Sequence, residues 1–431
     1  MSRIVPPPAV IDIARTLERA GFEAWCVGGA VRDALVGIET LDWDLATNAR
    51  PEEVQRLFRR TVPVGIQFGT VGVLDRAGVL HEVTTFRHDV ETDGRHAVVQ
   101  FGASLEEDLA RRDFTINAIA VHPERLEVRD PFDGRTDLAA RVIRCVGEPA
   151  ERMREDRLRA LRALRFAGRF DFTIDPATWS AIAGSAPHLG RLSMERVKQE
   201  LEKVMAQVAR PARTLERYRE AGIFAALVPA LADAPPARFA AIDHLPHRPL
   251  AGRPGRVALR LAALFAEPGV APPRDLERTL KALRFSNVES RLAVDVAQAV
   301  AALGPLATFE GDDVVLRRWV AEYGRLVVPP ALRVALARAR AEGGGDAVEA
   351  EAWQRDCVAR FRRLHRRAMA IAWRDPITIG DLAVDGDDLR TVGITDGRAI
   401  GETLRALLDA VLEDPARNTV DGLLARARRA P

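Results

Sequence analysis

The chain has 431 residues, 47% of them hydrophobic and 29% charged, and a formal net charge of +2. That length predicts roughly two to four domains. The near-balanced charge excludes nucleic-acid affinity through overall charge and leaves that task to local arginine clusters. Three widely spaced cysteines, Cys26, Cys145 and Cys357, exclude a disulfide framework and any zinc-ligand spacing, and favour a reduced, cytoplasmic protein. Met1 to Val10 lacks a signal peptide's apolar core, and no apolar run reaches transmembrane length, so no membrane association is expected.

In chain order, Ile11 to Ala20 carries apolar residues at helical spacing and stops at Gly21. Glu23 to Val27 reads as a short buried strand, broken by Gly28-Gly29, after which a helical segment begins at Val31-Arg32-Asp33. Asp42 and Asp44 flank Trp43; on a strand this spacing places both carboxylates on one face and turns Trp43 and Leu45 into the core. Pro51 to Arg59 reads as a helix. Thr61 to Val64, Thr70 to Leu74 and Leu80 to Phe86 read as strands, the last carrying Glu82. His88 to Phe101 is polar and is expected to be a mobile loop. Val121 to Asp130 resembles a last strand, followed by turn chemistry at Pro131 to Gly134. From Arg141 onward the β signal disappears. Glu151 to Phe170 is helical and arginine-rich, and Ser193 opens a helix expected to reach Met205. Proline-containing connections near Pro229 to Pro236 and Pro246 to Pro254, and the glycines of Ala341 to Asp346, separate further helices. Ile377 to Leu389 is β-like or irregular, and Ile400 to Leu412 is helical. The expected organisation is an α/β head of about 140 residues and an all-helical remainder.

Two stretches carry chemistry. Like charges at Asp42 and Asp44 repel, and a divalent metal with oxygen ligands relieves that repulsion. The adjacent Gly28-Gly29 turn exposes backbone N–H groups to an anion, and Arg32 supplies a positive partner for the buried carboxylates. Alone, such a pair is commonly an exposed acidic strand; with its neighbours it indicates phosphoryl or nucleotidyl transfer. Glu82, by spacing alone, reads as a solvent-facing strand residue. The second stretch is Glu155 to Phe166. Asp156 and Arg159 are helical neighbours, with Arg162 and Arg165 in the same row. A row of this kind is ordinarily a solvated salt-bridge ladder. Its functional alternative is recognition of a base. Cytosine and adenine each present an amino donor beside a ring-nitrogen acceptor, matching carboxylate and guanidinium. Uracil and guanine reverse the pattern and leave buried groups unpaired, at about 1–3 kcal/mol each.

Val27 to Asp44, Arg111 to Ala118, Asp133 to Arg144, Glu155 to Phe166 and Ser193 to Arg196 together resemble, in order, the five motifs of the bacterial class II tRNA nucleotidyltransferase/poly(A) polymerase family, and most closely its CCA-adding members. Pro376 to Asn418 resembles the tail of the longer CCA-adding members. The resemblance implies an α+β fold: a polymerase-β-like nucleotidyltransferase head with a mixed sheet (residues 1–140), then all-helical neck (141–210), body (211–360) and tail (361–431). It implies catalytic Asp42, Asp44 and Glu82, the two aspartates holding Mg²⁺. It implies nucleotide binding by Gly28, Gly29 and Arg32 at the triphosphate, by Arg112, Asp113 and Asn117 at the ribose, and by Asp156, Arg159, Arg162 and Arg165 around the base. The implied partners are tRNA (acceptor arm and 3′ end), CTP and ATP. Asp133 to Asp137 matches the head–neck hinge, where motion is expected. Arg360 to Arg367 is a candidate tRNA surface, with an ordinary solvated helix as its alternative. CC-only addition, A-only addition, poly(A) synthesis and an inactive RNA-binding protein remain open, as does the oligomeric state.

Overall fold

In the computed structural model, residues 4–40, 42–92, 97–245, 256–306, 309, 311–342 and 347–429 are described. The chain divides into two compact units, residues 1–208 with 216–232, and residues 209–215 with 233–431.

The first unit opens with α1 (Pro8–Arg19), whose Val10, Ile13, Ala14 and Leu17 form one buried stripe. Then come β1 (Ala24–Val27), α2 (Gly29–Leu35), β2 (Asp44–Thr47), α3 (Pro51–Leu57), β3 (Thr61–Gly65), β4 (Thr70–Leu74) and β5 (Leu80–Thr85). β6 (Arg87–Thr92) and β7 (Ala97–Phe101) precede α4 (Leu105–Ala110), β8 (Ala120–Val121), β9 (Val128–Arg129) and α5 (Gly134–Ala140). One seven-stranded sheet has the order β3-β4-β5-β2-β1-β8-β9. It is mixed: β2 and β5 run parallel, and the other pairs are antiparallel. Trp25, Val27, Ala46, Phe86, Leu105, Leu109 and Val146 are in its core.

The unit continues with β10 (Val142–Ile143), α6 (Pro149–Glu155), α7 (Leu158–Phe170), β11 (Thr173–Ile174), α8 (Pro176–Ser185), α9 (Met194–Gln207), α10 (Pro211–Glu220), which spans the division, and α11 (Ile223–Leu227). Gly134 fixes the entry to α5. A Cβ there would lie 2.2 Å from the Thr115 carbonyl oxygen, so no other residue fits without displacing backbone.

The second unit is helical: α12 (Pro236–Asp243), α13 (Arg256–Phe265), α14 (Leu276–Ala282), α15 (Asn287–Leu303), α16 (Asp313–Glu342, interrupted at Gly324), α17 (Ala347–Arg374), α18 (Gly386–Thr391), α19 (Gly397–Glu413) and α20 (Val420–Ala427). Val384, Leu389, Ile400, Leu407, Val411, Leu423 and Ala427 form an apolar cluster of their own near the C-terminus. Among the described residues no helix is long and apolar enough to cross a membrane.

Several local expectations are corrected. The loop expected over His88 to Phe101 is an antiparallel ribbon of β6 and β7; residues 93–96 lie outside the described set. Strands pair through backbone groups that polar residues carry as well as apolar ones, so polar composition does not exclude pairing. The single strand expected from Val121 to Asp130 is a hairpin, β8 with β9, because the chain reverses through residues 122–127 with Leu126 at φ 56°. β10 and β11 pair in parallel within the supposedly all-helical region, two residues each and too short for a periodic signal. Glu151 to Phe170 is two helices, broken at Asp156 (φ −146°, ψ 101°). Ile377 to Leu389 contains helical turns and no strand. Of the proline and glycine connections, residues 246–254 and 343–346 lie outside the described set.

Candidate active site

A cleft of about 860 Å³ within the first unit brings together Asp42, Asp44, Glu82, Gly28, Gly29, Arg32, Arg112, Asp113, Asn117, Asp156, Arg159, Arg162 and Arg165. These are all the residues the sequence singled out for the site, drawn from positions 28 to 165.

The acidic end is built on adjacent strands. β1 pairs with β2 so that Val27 faces Asp44, and β2 lies beside β5, which carries Glu82. Asp44 opens β2; Asp42 precedes it and is exposed, and Trp43 and Leu45 are buried as the alternation requires. Burial, then the charges of Glu82 and Asp42, push the Asp44 carboxyl up to about 7, with Arg112 opposing. Burial and Asp42 also raise Glu82. Three carboxylates that penalise one another's ionisation fit a divalent cation, whose charge reverses that penalty. No group of three or more His, Cys, Asp or Glu side chains poised for a metal occurs among the described residues. A magnesium site needs none, since one or two carboxylates and substrate phosphates suffice.

The glycine turn is shaped for close approach. Gly28 has φ +74°, and a Cβ on it would lie 3.2 Å from Arg112 Nη1 and 3.8 Å from Asp44 Oδ2. The expectation that Arg32 partners the metal carboxylates is corrected. Its Nη1 donates to Asn117 Oδ1 at 2.6 Å, and its Nε and Nη2 donate to Asp33 Oδ1 at 2.8 and 2.6 Å. Its guanidinium carbon also lies 4.8 Å from the ring centroids of both Phe166 and Phe170. Arg112 is the cation whose charge opposes the rise of the Asp44 carboxyl. Asp108, buried on α4, accepts from Arg112 Nη2 at 2.9 Å and from Arg111. The buried Arg112 Nε has no hydrogen-bond partner, an orphaned donor that suits an anionic ligand.

Asp113 joins the sheet region to α7. Its Oδ1 accepts from the Phe114 N–H and from Asn117, and its Oδ2 accepts from Arg162 Nε at 2.8 Å. Burial alone would raise its pKa; the Arg162 charge and the bonds from Asn117 and Arg162 more than offset this and hold it below the usual carboxylate range. Arg165 Nε donates to Glu200 Oε2 at 2.6 Å in a pair buried on both sides. Asp156 and Arg159 are not adjacent members of one helix as expected. Asp156 sits at the α6–α7 junction, where Oδ1 accepts from the Leu158 N–H and Oδ2 accepts from Arg196 Nη2 at 2.7 Å. Arg159 donates to Glu155 Oε2 at 2.7 Å and to the carbonyls of Arg152 and Arg111.

Residues absent from the expected set include Asp33, Asp108, Arg169, Arg196, Glu200, Lys203 and Phe166. Arg169, Lys203 and Phe166 line the cleft; the others fasten its arginines or Asp156. Two had a sequence signal. Glu200 falls in the buried stripe of Val197, Leu201 and Val204, and Asp108 follows Leu105 at helical spacing. An acid in an apolar stripe asks for a buried cation. At the supposed hinge, buried Asp137 accepts from Thr115 Oγ1 at 2.7 Å and from Arg144 Nε. On α17, Arg360 pairs with Asp356 and Arg367 with Asp313, while Arg362, Arg363 and Arg366 are exposed.

Comparison with known proteins follows the same lines. Residues 24–144 match the Poly A polymerase head domain, and residues 171–234 match the probable RNA and SrmB-binding site of polymerase A. The chain is 37% identical over 430 residues to the CCA-adding enzyme of Geobacillus kaustophilus, covering 97% of this chain and 96% of that one. It is 34% identical to the CCA-adding enzyme of Latilactobacillus sakei, covering 97% of each. Among solved structures, the Bacillus stearothermophilus CCA-adding enzyme in complex with CTP superposes with a TM-score of 0.71 at 32% identity over 98% of both chains. The Thermotoga maritima CCA-adding enzyme complexed with tRNA shares the fold, with a TM-score of 0.63 at 22% identity over 97% of this chain and 93% of that one.

Proposed function

Because the chain belongs to the CCA-adding class II nucleotidyltransferases and is therefore a nucleotidyltransferase, we propose that it adds C, C and A to tRNA 3′ ends from CTP and ATP, releasing pyrophosphate without a nucleic-acid template. The observation that carries this reading is that one cleft holds both the carboxylates of Asp42 and Asp44 and the pair Asp156 and Arg159.

Enzymes of this family are metal-dependent, and Mg²⁺ is the ion we assign to Asp42 and Asp44, with Glu82 beside them. When bound, such an ion supplies positive charge at the phosphate oxygens and lowers the pKa of the attacking hydroxyl. The chain's own residues do the rest. The Gly28-Gly29 turn and Arg112 receive the triphosphate, and the lack of a side chain at Gly28 permits that approach. Asn117 and Asp113, locked to Arg32 and Arg162, form the wall for the ribose. Arg196 holds Asp156, and Glu155 holds Arg159, in fixed orientation for reading the base edge. Catalysis is then positioning and charge neutralisation. Residues 1–140 act as head and 141–210 as neck. Body (211–360) and tail (361–431) grip the tRNA, with Arg360 to Arg367 as a phosphate-contacting surface, in a cytoplasmic protein.

The test offers each labelled NTP with tRNA ending before the first C, tRNA ending in CC, or a generic RNA. CTP incorporation into the first tRNA and ATP incorporation into the second are expected. Arrest after CC, action on CC ends only, or ATP incorporation into generic RNA would replace the reading by CC-addition, A-addition or poly(A) synthesis. No incorporation would indicate an inactive RNA-binding protein. UTP or GTP used as readily as CTP would remove base reading from Asp156 and Arg159.

A further inference from the structure

The cleft is electrically lopsided. Among its lining residues are eight arginines and one lysine, and the carboxylates of Asp113 and Asp156 are already bonded to Arg162 and Arg196. The remaining acids, Asp42, Asp44 and Glu82, gather at the sheet. A triphosphate therefore belongs on the arginine side. In-line displacement puts the attacking hydroxyl opposite the departing pyrophosphate, so the RNA end must reach the acidic group from the sheet side, past Glu82.

The sheet continues there in a specific way. Across the strands, Val62 of β3 is opposite Gly72 of β4, which is opposite Glu82 of β5, so all three share one face. Leu80, two residues along β5, shares it too, and Val64, at a register shift between Pro63 and Gly65, is brought to it by its contact at Gly72. Val62, Val64 and Leu80 are 38%, 43% and 40% exposed, although Val71 and Val73 of β4 and Val83 of β5 are core residues. A Cβ on Gly72 would lie 2.6 Å from Leu80 Cδ1 and 2.8 Å from Val64 Cγ2. The missing side chain thus lets two aliphatic groups close over the backbone and make an apolar surface beside Glu82.

We propose that Val62, Val64 and Leu80, seated over Gly72, form a ledge that holds the 3′-terminal nucleoside of the RNA and delivers its hydroxyl past Glu82 to Asp42 and Asp44. This rests on the proposed function and deepens it. An enzyme that extends its own product meets a different terminal base at each step. An aliphatic surface offers neither donor nor acceptor, so it grips sugar and base faces without reading them. Selectivity then resides with the incoming nucleotide and tolerance with the strand being extended.

The experiment has two arms. In the first, a tRNA minihelix bearing a 3′-terminal 4-thiouridine is photo-crosslinked to the full chain and the adduct is mapped by mass spectrometry. Adducts within Thr61–Gly65 or Val79–Glu82 are expected; adducts confined to other segments, or none, overturn the ledge. In the second, Val64→Ser/Leu80→Ser, whose positions are exposed, should raise KM for RNA roughly 5- to 20-fold and leave KM for CTP within about twofold, at unchanged melting temperature. An unchanged KM for RNA, or both KM values rising together, overturns it. A wild-type chain that crosslinks at the ledge yet extends no tRNA refutes the CCA-adding reading alone. One that extends tRNA and crosslinks elsewhere refutes the ledge alone.

Discussion

Replacing Glu200 with alanine isolates what holds the arginine wall of the cleft. Arg165 and Glu200 are bonded at 2.6 Å with side chains only 5% and 3% exposed. Lys203 Nζ, at 3.2 Å, is a second cation on the same carboxylate, but its side chain is 43% exposed and can turn to water. Arg165 cannot follow it. Its guanidinium lies 4.2 Å from the Phe166 ring centroid, which retains only part of the lost attraction. Removing one member of a buried pair leaves an uncompensated charge and costs about 3–5 kcal/mol. Replacing both, as Arg165→Met/Glu200→Leu, removes the desolvation cost with the charges and should return stability to within about 1 kcal/mol of wild type. Urea denaturation of the three proteins measures this. Nucleotide kinetics should separate from stability: Glu200→Ala and the double variant both raise KM for CTP and ATP, because neither holds a fixed cation at position 165. A double variant as unstable as Glu200→Ala, or one with unchanged nucleotide KM, would refute the reasoning.

Three further outcomes are expected. The Asp44 carboxyl is raised from 3.8 to about 7, so the native state binds a proton that the unfolded chain has lost. Metal-free stability therefore falls as pH rises from about 4 to 7, by about 1.4 kcal/mol per unit. Asp44→Asn should remove that slope, making it the more stable protein at pH 8 in EDTA, with the advantage shrinking toward pH 4; an equal difference at pH 5 and pH 8 argues against it. Gly134→Ala drives a methyl group to within 2.2 Å of the Thr115 carbonyl oxygen and should cost at least about 1–3 kcal/mol in thermal unfolding, whereas Gly190→Ala, with open space around its Cβ position, should not. Arg196→Met removes the 2.7 Å donor that orients Asp156; loss of a charged hydrogen bond of about 1.5–3 kcal/mol should reduce the kcat/KM preference for CTP over UTP at least about tenfold, and an unchanged ratio would clear Arg196 of any part in base selection.

Much of the head was readable from period and punctuation. The strand at Leu80 alternates, the runs at Thr61 and Thr70 are rich in valine, and α1, α3 and α9 each bury apolar residues on one side, so local rules and tertiary packing agree. The α/β head and the helical remainder follow from them, whereas the mixed sheet was implied by the family resemblance alone. What escaped depends on partners distant in sequence. The stretch from Glu151 to Phe170 has helix-forming residues throughout, and its one local mark of a break, Asp156 accepting from the Leu158 N–H two residues on, is completed only by Arg196 from forty residues away. Arg32 was read against the carboxylates that follow it in sequence, whereas Asn117 and the adjacent Asp33 hold it. Residue type told which groups carry charge. Which charge answers which is set by topology, and a single sequence does not print topology.

The place of β1 in the sheet has a consequence for how the chain acquires its structure. β1 is bordered on one side by residues 44–47 and on the other by residues 120–121. Pairing with the first closes a short loop; pairing with the second closes one of more than ninety residues and carries the larger entropic cost. During synthesis the strand that precedes the glycine turn must therefore wait, one backbone edge open, until β8 has emerged. An open edge is a template for pairing with other chains. The same late event covers that edge and brings Asn117, three residues before β8, up to Arg32, so the nascent chain closes an open pairing edge at the moment its nucleotide wall is completed.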